Sequence, residues 1–94
     1  MNKRALIGKR VTLVARFNGS NDSHMLLVNV RTENGARFRE HLWMPYGKRF
    51  RRLEMERGCQ VRLRGKVNRY WYKPKARWQY EVTNVNQFEV IDDE

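Results

Sequence analysis

Apolar and polar residues alternate along most of this chain, and that alternation constrains the fold more than any other feature. A period of two is typical of β-strands, because successive side chains of a strand point to opposite faces of the sheet. The alternation occupies five segments, at residues 11–17, 25–31, 37–44, 59–72 and 77–91. The sequence therefore predicts an all-β domain of five strands.

The segments between these strands have turn chemistry. Residues 18–23 read Asn-Gly-Ser-Asn-Asp-Ser, and Lys73-Pro74-Lys75-Ala76 separates the last two strands. Asn34-Gly35 predicts a tight type I′ hairpin between the second and third strands, because both residues tolerate positive φ. Asn84-Val85-Asn86 predicts an irregularity within the fifth strand.

The period changes after Pro45. Tyr46, Phe50, Leu53 and Arg57 follow a spacing of three and four, which places them on one face of a helix. Gly58 suits the left-handed residue that ends many helices. We expect one short helix over residues 46–57, with its cations solvated and with Glu54 and Glu56 as intrahelical partners.

Three strands, a helix and two strands resemble the OB-fold. The resemblance covers residues 8–91 and includes the opening Gly8-Lys9-Arg10-Val11-Thr12-Leu13 and the run from Gly58 to Val67, in which Gly65 would let a strand coil. It implies a single domain over residues 1–94, folded as a five-stranded Greek-key OB-fold barrel with one short helix between strands 3 and 4. Small single-stranded DNA-binding and replication-accessory proteins are the nearest in kind. An SH3-like barrel would also fit the strand count.

The charge of the chain is strongly positive and unevenly placed. The net charge is +10; residues 1–80 carry +15 and the last 14 residues carry −5. Arginine supplies 14 of the 20 cations, which favours nucleic acid as the polyanionic partner because guanidinium groups bind phosphates and stack on bases. No apolar run approaches the ~20 residues that span a membrane, so we expect no membrane partner.

The OB resemblance places the ligand over the outer face of strands 2 and 3. If Leu26, Val28, Val30, Phe38 and Leu42 point inward, then the outward set is Asn29, Arg31, Arg39, His41 and Trp43. This register also turns Glu40 inward, which a bulge or a place near the rim would resolve. Trp43 could equally pack beside Pro45.

The hairpin between strands 4 and 5 has the strongest binding pattern. Its cations alternate with aromatic rings that are suited to base stacking. Tyr70 and Tyr72 continue the outward face, whereas Trp71 continues the buried face and could close the barrel. The complete predicted nucleic-acid surface comprises Arg16, Arg31, Arg39, His41, Trp43, Arg62, Arg64, Arg69, Tyr70, Trp71, Tyr72, Lys73, Lys75, Arg77 and Trp78.

Catalytic and metal chemistry find little support in the sequence. His24, His41 and Cys59 have no paired ligand spacing, and the carboxylates are scattered or terminal, so we expect no metal, no cofactor and no enzyme activity. A single cysteine favours a reducing compartment, and Ala5-Leu6-Ile7 is too short for a secretory segment, so we expect a cytoplasmic protein.

Two alternatives accompany the main hypothesis. The sequence predicts a protein that binds single-stranded nucleic acid, DNA favoured over RNA, with little sequence specificity. The first alternative is an interaction module that docks onto a replication, recombination or ribosomal partner. The second is a binder of duplex DNA or structured RNA. Exposed edge strands would allow a homodimer as well as a monomer.

Overall fold

The five predicted strands form one antiparallel sheet. The computed structural model describes residues 2–91. Its elements are β1 (Arg10–Ser20), β2 (His24–Thr32), β3 (Arg37–Pro45), α1 (Lys48–Arg51), β4 (Gln60–Tyr72) and β5 (Arg77–Ile91), with 3-10 turns at Lys3–Leu6 and Lys73–Lys75. The predicted all-β class is confirmed.

The order of strands in the sheet is β3-β2-β1-β4-β5. β1 pairs with both β2 and β4, while the two outer strands, β3 and β5, have no ladder between them among residues 2–91. The sheet is therefore not closed into the predicted barrel. Side chains join the two outer strands instead: the Arg39 guanidinium donates a hydrogen bond to the Tyr80 carbonyl at 2.6 Å, and the Phe38 and Tyr80 rings lie 6.5 Å apart.

One face of the sheet encloses the hydrophobic core. All core residues come from strands except Phe50 of α1, and no polar or charged side chain among the described residues is buried. The alternation predicted for β1 and β4 is confirmed, because Leu13, Ala15 and Phe17 are buried together with Val61 and Leu63. These two strands pair residue for residue, which places their inward side chains against one another.

The face predicted for the first half of β2 is wrong. Met25 and Leu27 are buried, whereas Leu26 and Val28 are only half-buried. Asn29 adopts a φ of 53°, and the register with β1 shifts at this point, so the phase changes and Val30 is buried as predicted. A β-bulge explains such a change, because one extra residue moves every later side chain to the other face.

The helix is shorter than predicted. α1 is a single turn, since Glu54 adopts a φ of 49°, and the helical pattern does not continue to Arg57. Glu54 and Glu56 therefore lie beyond the helix and are not the intrahelical partners we expected. Arg49 and Arg51 donate instead to backbone carbonyls, at Val85 and Asp22 respectively, and so fix α1 against β5 and the β1–β2 loop.

The β2–β3 turn is not the predicted type I′ turn. The Gly35 N–H donates to the Thr32 carbonyl, and Gly35 alone of the predicted pair has positive φ, at 88°. This is a three-residue loop with glycine in the left-handed position, the next most common hairpin connection. The irregularity predicted within β5 is confirmed: Arg64 pairs with Gln87 but Lys66 pairs with Thr83, so residues 84–86 form a bulge opposite Gly65.

Candidate nucleic-acid interface

A groove of about 360 Å³ runs between β3 and the β4–β5 hairpin. Seven predicted site residues line it, three from β3 and four from the hairpin: Arg39, His41, Trp43, Tyr70, Tyr72, Lys75 and Arg77. Leu42, Gln79 and Glu81 complete its walls. The groove therefore brings together the two regions that the sequence marked separately.

The outer end of the hairpin extends beyond the rest of the sheet. The ladder between β1 and β4 ends at Arg10 opposite Lys66, whereas β4 and β5 stay paired as far as Tyr72 opposite Arg77. Residues 68–81, which we call the arm, consequently have ladder partners only within the arm among the described residues. One face of the arm forms a wall of the groove.

The pairing register decides which side chains share that wall. Tyr70 lies opposite Gln79 and Tyr72 lies opposite Arg77, so all four project from the same face of the arm. The Tyr70 hydroxyl donates to the Gln79 side-chain carbonyl at 2.9 Å, and the Tyr70 and Tyr72 rings stand edge to face at 6.5 Å. The Tyr70 ring is therefore anchored through its hydroxyl, and the Tyr72 ring stands in edge contact beside it.

The β3 wall presents an indole and a guanidinium. Trp43 is 54% exposed, so it does not pack into the core beside Pro45. Arg39 is held by its bond to the Tyr80 carbonyl and by a longer one, 3.4 Å, to the Gln79 side chain. A guanidinium has five N–H donors, so these two bonds orient the group without exhausting it.

The opposite face of the arm carries a second aromatic group. Trp71 and Trp78 pair across the strands with ring centroids 5.5 Å apart, and the Arg69 guanidinium lies 4.3 Å from the Trp78 ring. Both indoles are 49% exposed. Trp71 lies on the same face of β4 as the core residues, but the last buried residue of β4 is Val67. The expectation that Trp71 could close the barrel is therefore wrong.

The other predicted residues lie away from the groove. Arg31 donates to the Asn29 side chain and to the Gly35 carbonyl within its own hairpin. Arg16, Arg62 and Arg64 project from the outer face of β1 and β4, where Arg62 forms a 2.8 Å salt bridge with Glu89 and Arg64 donates to Thr12. Arg16 donates to the Gly58 carbonyl. Lys73 begins the 3-10 turn at the tip of the arm.

Sequence reasoning missed Lys3 as a neighbour of this region. Its ammonium lies 5.3 Å from the Tyr80 ring and 5.9 Å from the Phe38 ring. Burial, and then repulsion from Arg39, lower the pKa of Lys3 below its usual value. The N-terminal 3-10 turn that places Lys3 here lies before residue 8, where the expected domain core began, so the strand pattern gave no signal for it.

Metal-binding clusters and membrane-spanning helices are absent from the described part of the chain. Residues 2–91 contain no cluster of three or more His, Cys, Asp or Glu side chains arranged to hold a metal ion. No helix within this range is long and apolar enough to cross a membrane.

Comparison of the chain with protein-family models, with curated proteins and with solved structures finds no match.

Proposed function

We propose that this protein binds single-stranded nucleic acid, DNA favoured, in the groove between β3 and the arm, with little sequence specificity. The observation that carries the proposal is the placement of Trp43 on one wall and of Tyr70 and Tyr72 on the other, with Arg39 and Arg77 beside them. Exposed rings stack on bases of any identity, and the cations between them meet the phosphates that join those bases.

The strand order supports an OB-type Greek-key topology as the finer description of the fold. In that fold a partly open five-stranded sheet binds oligonucleotides over strands 2 and 3, beside the 1–2 and 4–5 loops. A central β1 that pairs with both β2 and β4 agrees with that topology. The groove involves two of these parts, strand 3 and the hairpin between strands 4 and 5.

A single strand fits this groove better than a duplex. Stacking on Trp43 and on the two tyrosines requires bases whose faces are free, and in a duplex those faces are covered by neighbouring base pairs. Of the residues that line the groove, Glu81 alone is a carboxylate, so the groove holds no carboxylate pair for acid–base work and the proposed role is binding.

Titration of labelled oligo-dT under increasing salt tests the proposal. Three groove cations, Arg39, Lys75 and Arg77, would each neutralise a phosphate, so log K should fall against log salt with a slope of about −2 or steeper. Binding should also quench tryptophan fluorescence, because Trp43 would stack on a base. A duplex and an RNA strand of equal length should bind more weakly at equal salt. Absence of salt-dependent binding to oligo-dT would refute the proposal.

The exposed Trp71–Trp78 pair favours a second candidate function, docking onto a protein partner of a replication, recombination or ribosomal assembly. Exposed indoles are enriched at protein interfaces. Trp71→Ala and Tyr72→Ala separate the two functions. Loss of oligonucleotide affinity in Tyr72→Ala supports nucleic-acid binding, whereas intact affinity in both variants, with loss of partner capture in Trp71→Ala, supports docking.

A further inference from the structure

A second cavity, of about 300 Å³, lies directly beside the groove. Its lining consists of three cations, two aromatic rings and one amide: Lys3, Arg39, Arg77, Trp78, Tyr80 and Gln79. None of these side chains is acidic, whereas the groove includes Glu81. We call this space the cation cavity.

The groove and the cation cavity share a wall. Arg39, Arg77 and Gln79 line both of them, so a chain lying in the groove would contact side chains that also line the cation cavity. Nucleic acid carries one phosphate per nucleotide, and the phosphate next to a stacked base would therefore come within reach of the cavity.

Among residues 2–91, none of the three cations forms a salt bridge with a carboxylate. Lys3 lies over the Phe38 and Tyr80 rings, which attract its charge only weakly compared with an anion. Arg39 is bonded to neutral oxygens, at the Tyr80 carbonyl and the Gln79 amide. Repulsion between Lys3 and Arg39 contributes to the lowered pKa of Lys3. An anion in this place would relieve that repulsion and satisfy the remaining guanidinium donors.

We propose that the cation cavity binds a phosphate group of the nucleic acid that occupies the groove, with Lys3, Arg39 and Arg77 as its ligands. This inference rests on the proposed function. The ligand is either an internal phosphodiester or the terminal phosphate of a strand end, and both present the same oxygens to the same three cations.

Lys3→Gln tests the inference with Lys48→Gln as its matched control. Each variant removes one lysine charge, but Lys48 is an exposed residue of α1 and lines neither the groove nor the cavity. Loss of one of the three cations weakens the neutralisation of this phosphate and makes the salt slope shallower, by at most about 0.7 for a single strand. We expect this change in Lys3→Gln, no change of slope in Lys48→Gln, and restoration of the slope in Lys3→Arg. Circular dichroism of each variant checks that the fold is kept.

A second measurement follows Lys3 itself by NMR titration of its side-chain Cε resonance. The pKa of Lys3 should rise when oligo-dT is added, because a phosphate would favour the charged ammonium. An unchanged pKa overturns the inference even if Lys3→Gln weakens binding through a structural effect.

Oligonucleotides with and without a terminal phosphate identify the source of the group. If the phosphorylated oligonucleotide binds more tightly and this difference disappears in Lys3→Gln, the cavity holds a strand end. If the two oligonucleotides bind with equal affinity and Lys3→Gln still has a shallower salt slope, the cavity holds an internal phosphodiester. If wild-type protein binds oligo-dT but Lys3→Gln and Lys48→Gln both keep the wild-type salt slope, this inference is overturned and the groove proposal stands. Wild-type protein that does not bind oligo-dT overturns both.

Discussion

Gly65 lies on β4 at the point where β5 bulges. It is buried in β4 opposite the β5 bulge, and a Cβ atom placed on it would lie 2.6 Å from Val82 Cγ1 and 3.0 Å from the Thr83 carbonyl oxygen. Real Cβ atoms essentially never come as close as the first of these distances. Gly65 does not have positive φ, so steric contact and not backbone strain determines the effect of a side chain here.

Gly65→Ala should therefore lower the free energy of unfolding. Overpacking of a well-packed core costs about 1–3 kcal/mol, and the smaller entropy of the unfolded alanine chain returns about 0.4–1 kcal/mol. The Thr83 carbonyl belongs to the backbone next to the pair of Lys66 with Thr83, so it yields only if the ladder shifts. The net expectation is a loss of about 1–2 kcal/mol, which for a domain of this size lowers Tm by about 4–16 °C.

Thermal unfolding followed by circular dichroism measures this loss, with Gly47→Ala as the matched control. Gly47 has a φ of −79°, and a Cβ atom there would have no heavy atom within 4 Å. Its substitution should change the free energy of unfolding by less than about 1 kcal/mol, because the entropy gain and the loss of a favoured N-cap residue are of similar size. If Gly65→Ala melts within about 2 °C of wild type, the β5 bulge gives way freely and the steric reasoning is wrong.

Three further predictions concern the groove, the arm and the thiol. Trp43→Ala should weaken oligo-dT binding by about 5- to 150-fold, since stacking on one ring contributes about 1–3 kcal/mol. Trp71 lies on the far face of the arm, so Trp71→Ala should change the affinity by less than about 3-fold. Equal losses of affinity in a filter-binding assay would contradict this division of the arm. Ala76 has a φ of 47°, so Ala76→Gly should relieve a left-handed alanine and raise the free energy of unfolding by about 0.5–1 kcal/mol, and a lower Tm would count against it. Burial raises the pKa of the Cys59 thiol, so less thiolate is present at a given pH, and iodoacetamide should alkylate Cys59 more slowly at pH 8 in the folded than in the urea-unfolded protein. The same shift removes stability as the pH rises from the pKa of the unfolded thiol to the higher pKa of the folded one. A faster reaction in the folded state would show that the thiol is activated.

Sequence periodicity predicted the inward face of a strand correctly where only one phase of the alternation puts apolar residues on a single face. β1 has a single phase, since Leu13, Ala15 and Phe17 alternate with polar or half-buried neighbours. In β2 the apolar run Leu26-Leu27-Val28 fits both phases, and only a left-handed Asn29 decides between them. A single asparagine is a weaker signal of a bulge than Asn84-Val85-Asn86 in β5, so the phase of β2 could not be predicted from its residues.

The candidate site was predicted in part for the same reason. β3 places Arg39, His41 and Trp43 on the outward face because Phe38, Leu42 and Met44 occupy the core as their spacing requires. The alternation of side chains along β4 also predicted which residues share each face of the arm. Alternation does not indicate where the core ends, so Trp71 was assigned a packing role that it does not have. Gln79 and Glu81 carry no aromatic ring or positive charge and were missed, although they line the groove.

The arm has a consequence for local motion. β1 is held by ladders on both sides, whereas residues 68–81 are held by a single ladder and, toward β3, by the Arg39 side chain. Opening the arm breaks fewer backbone hydrogen bonds than opening β1, so amide hydrogens of the arm should exchange with solvent through low-energy local unfolding. A single strand of nucleic acid that contacts both walls of the groove would join the arm to β3. Slower amide hydrogen exchange in the arm would therefore report ligand binding.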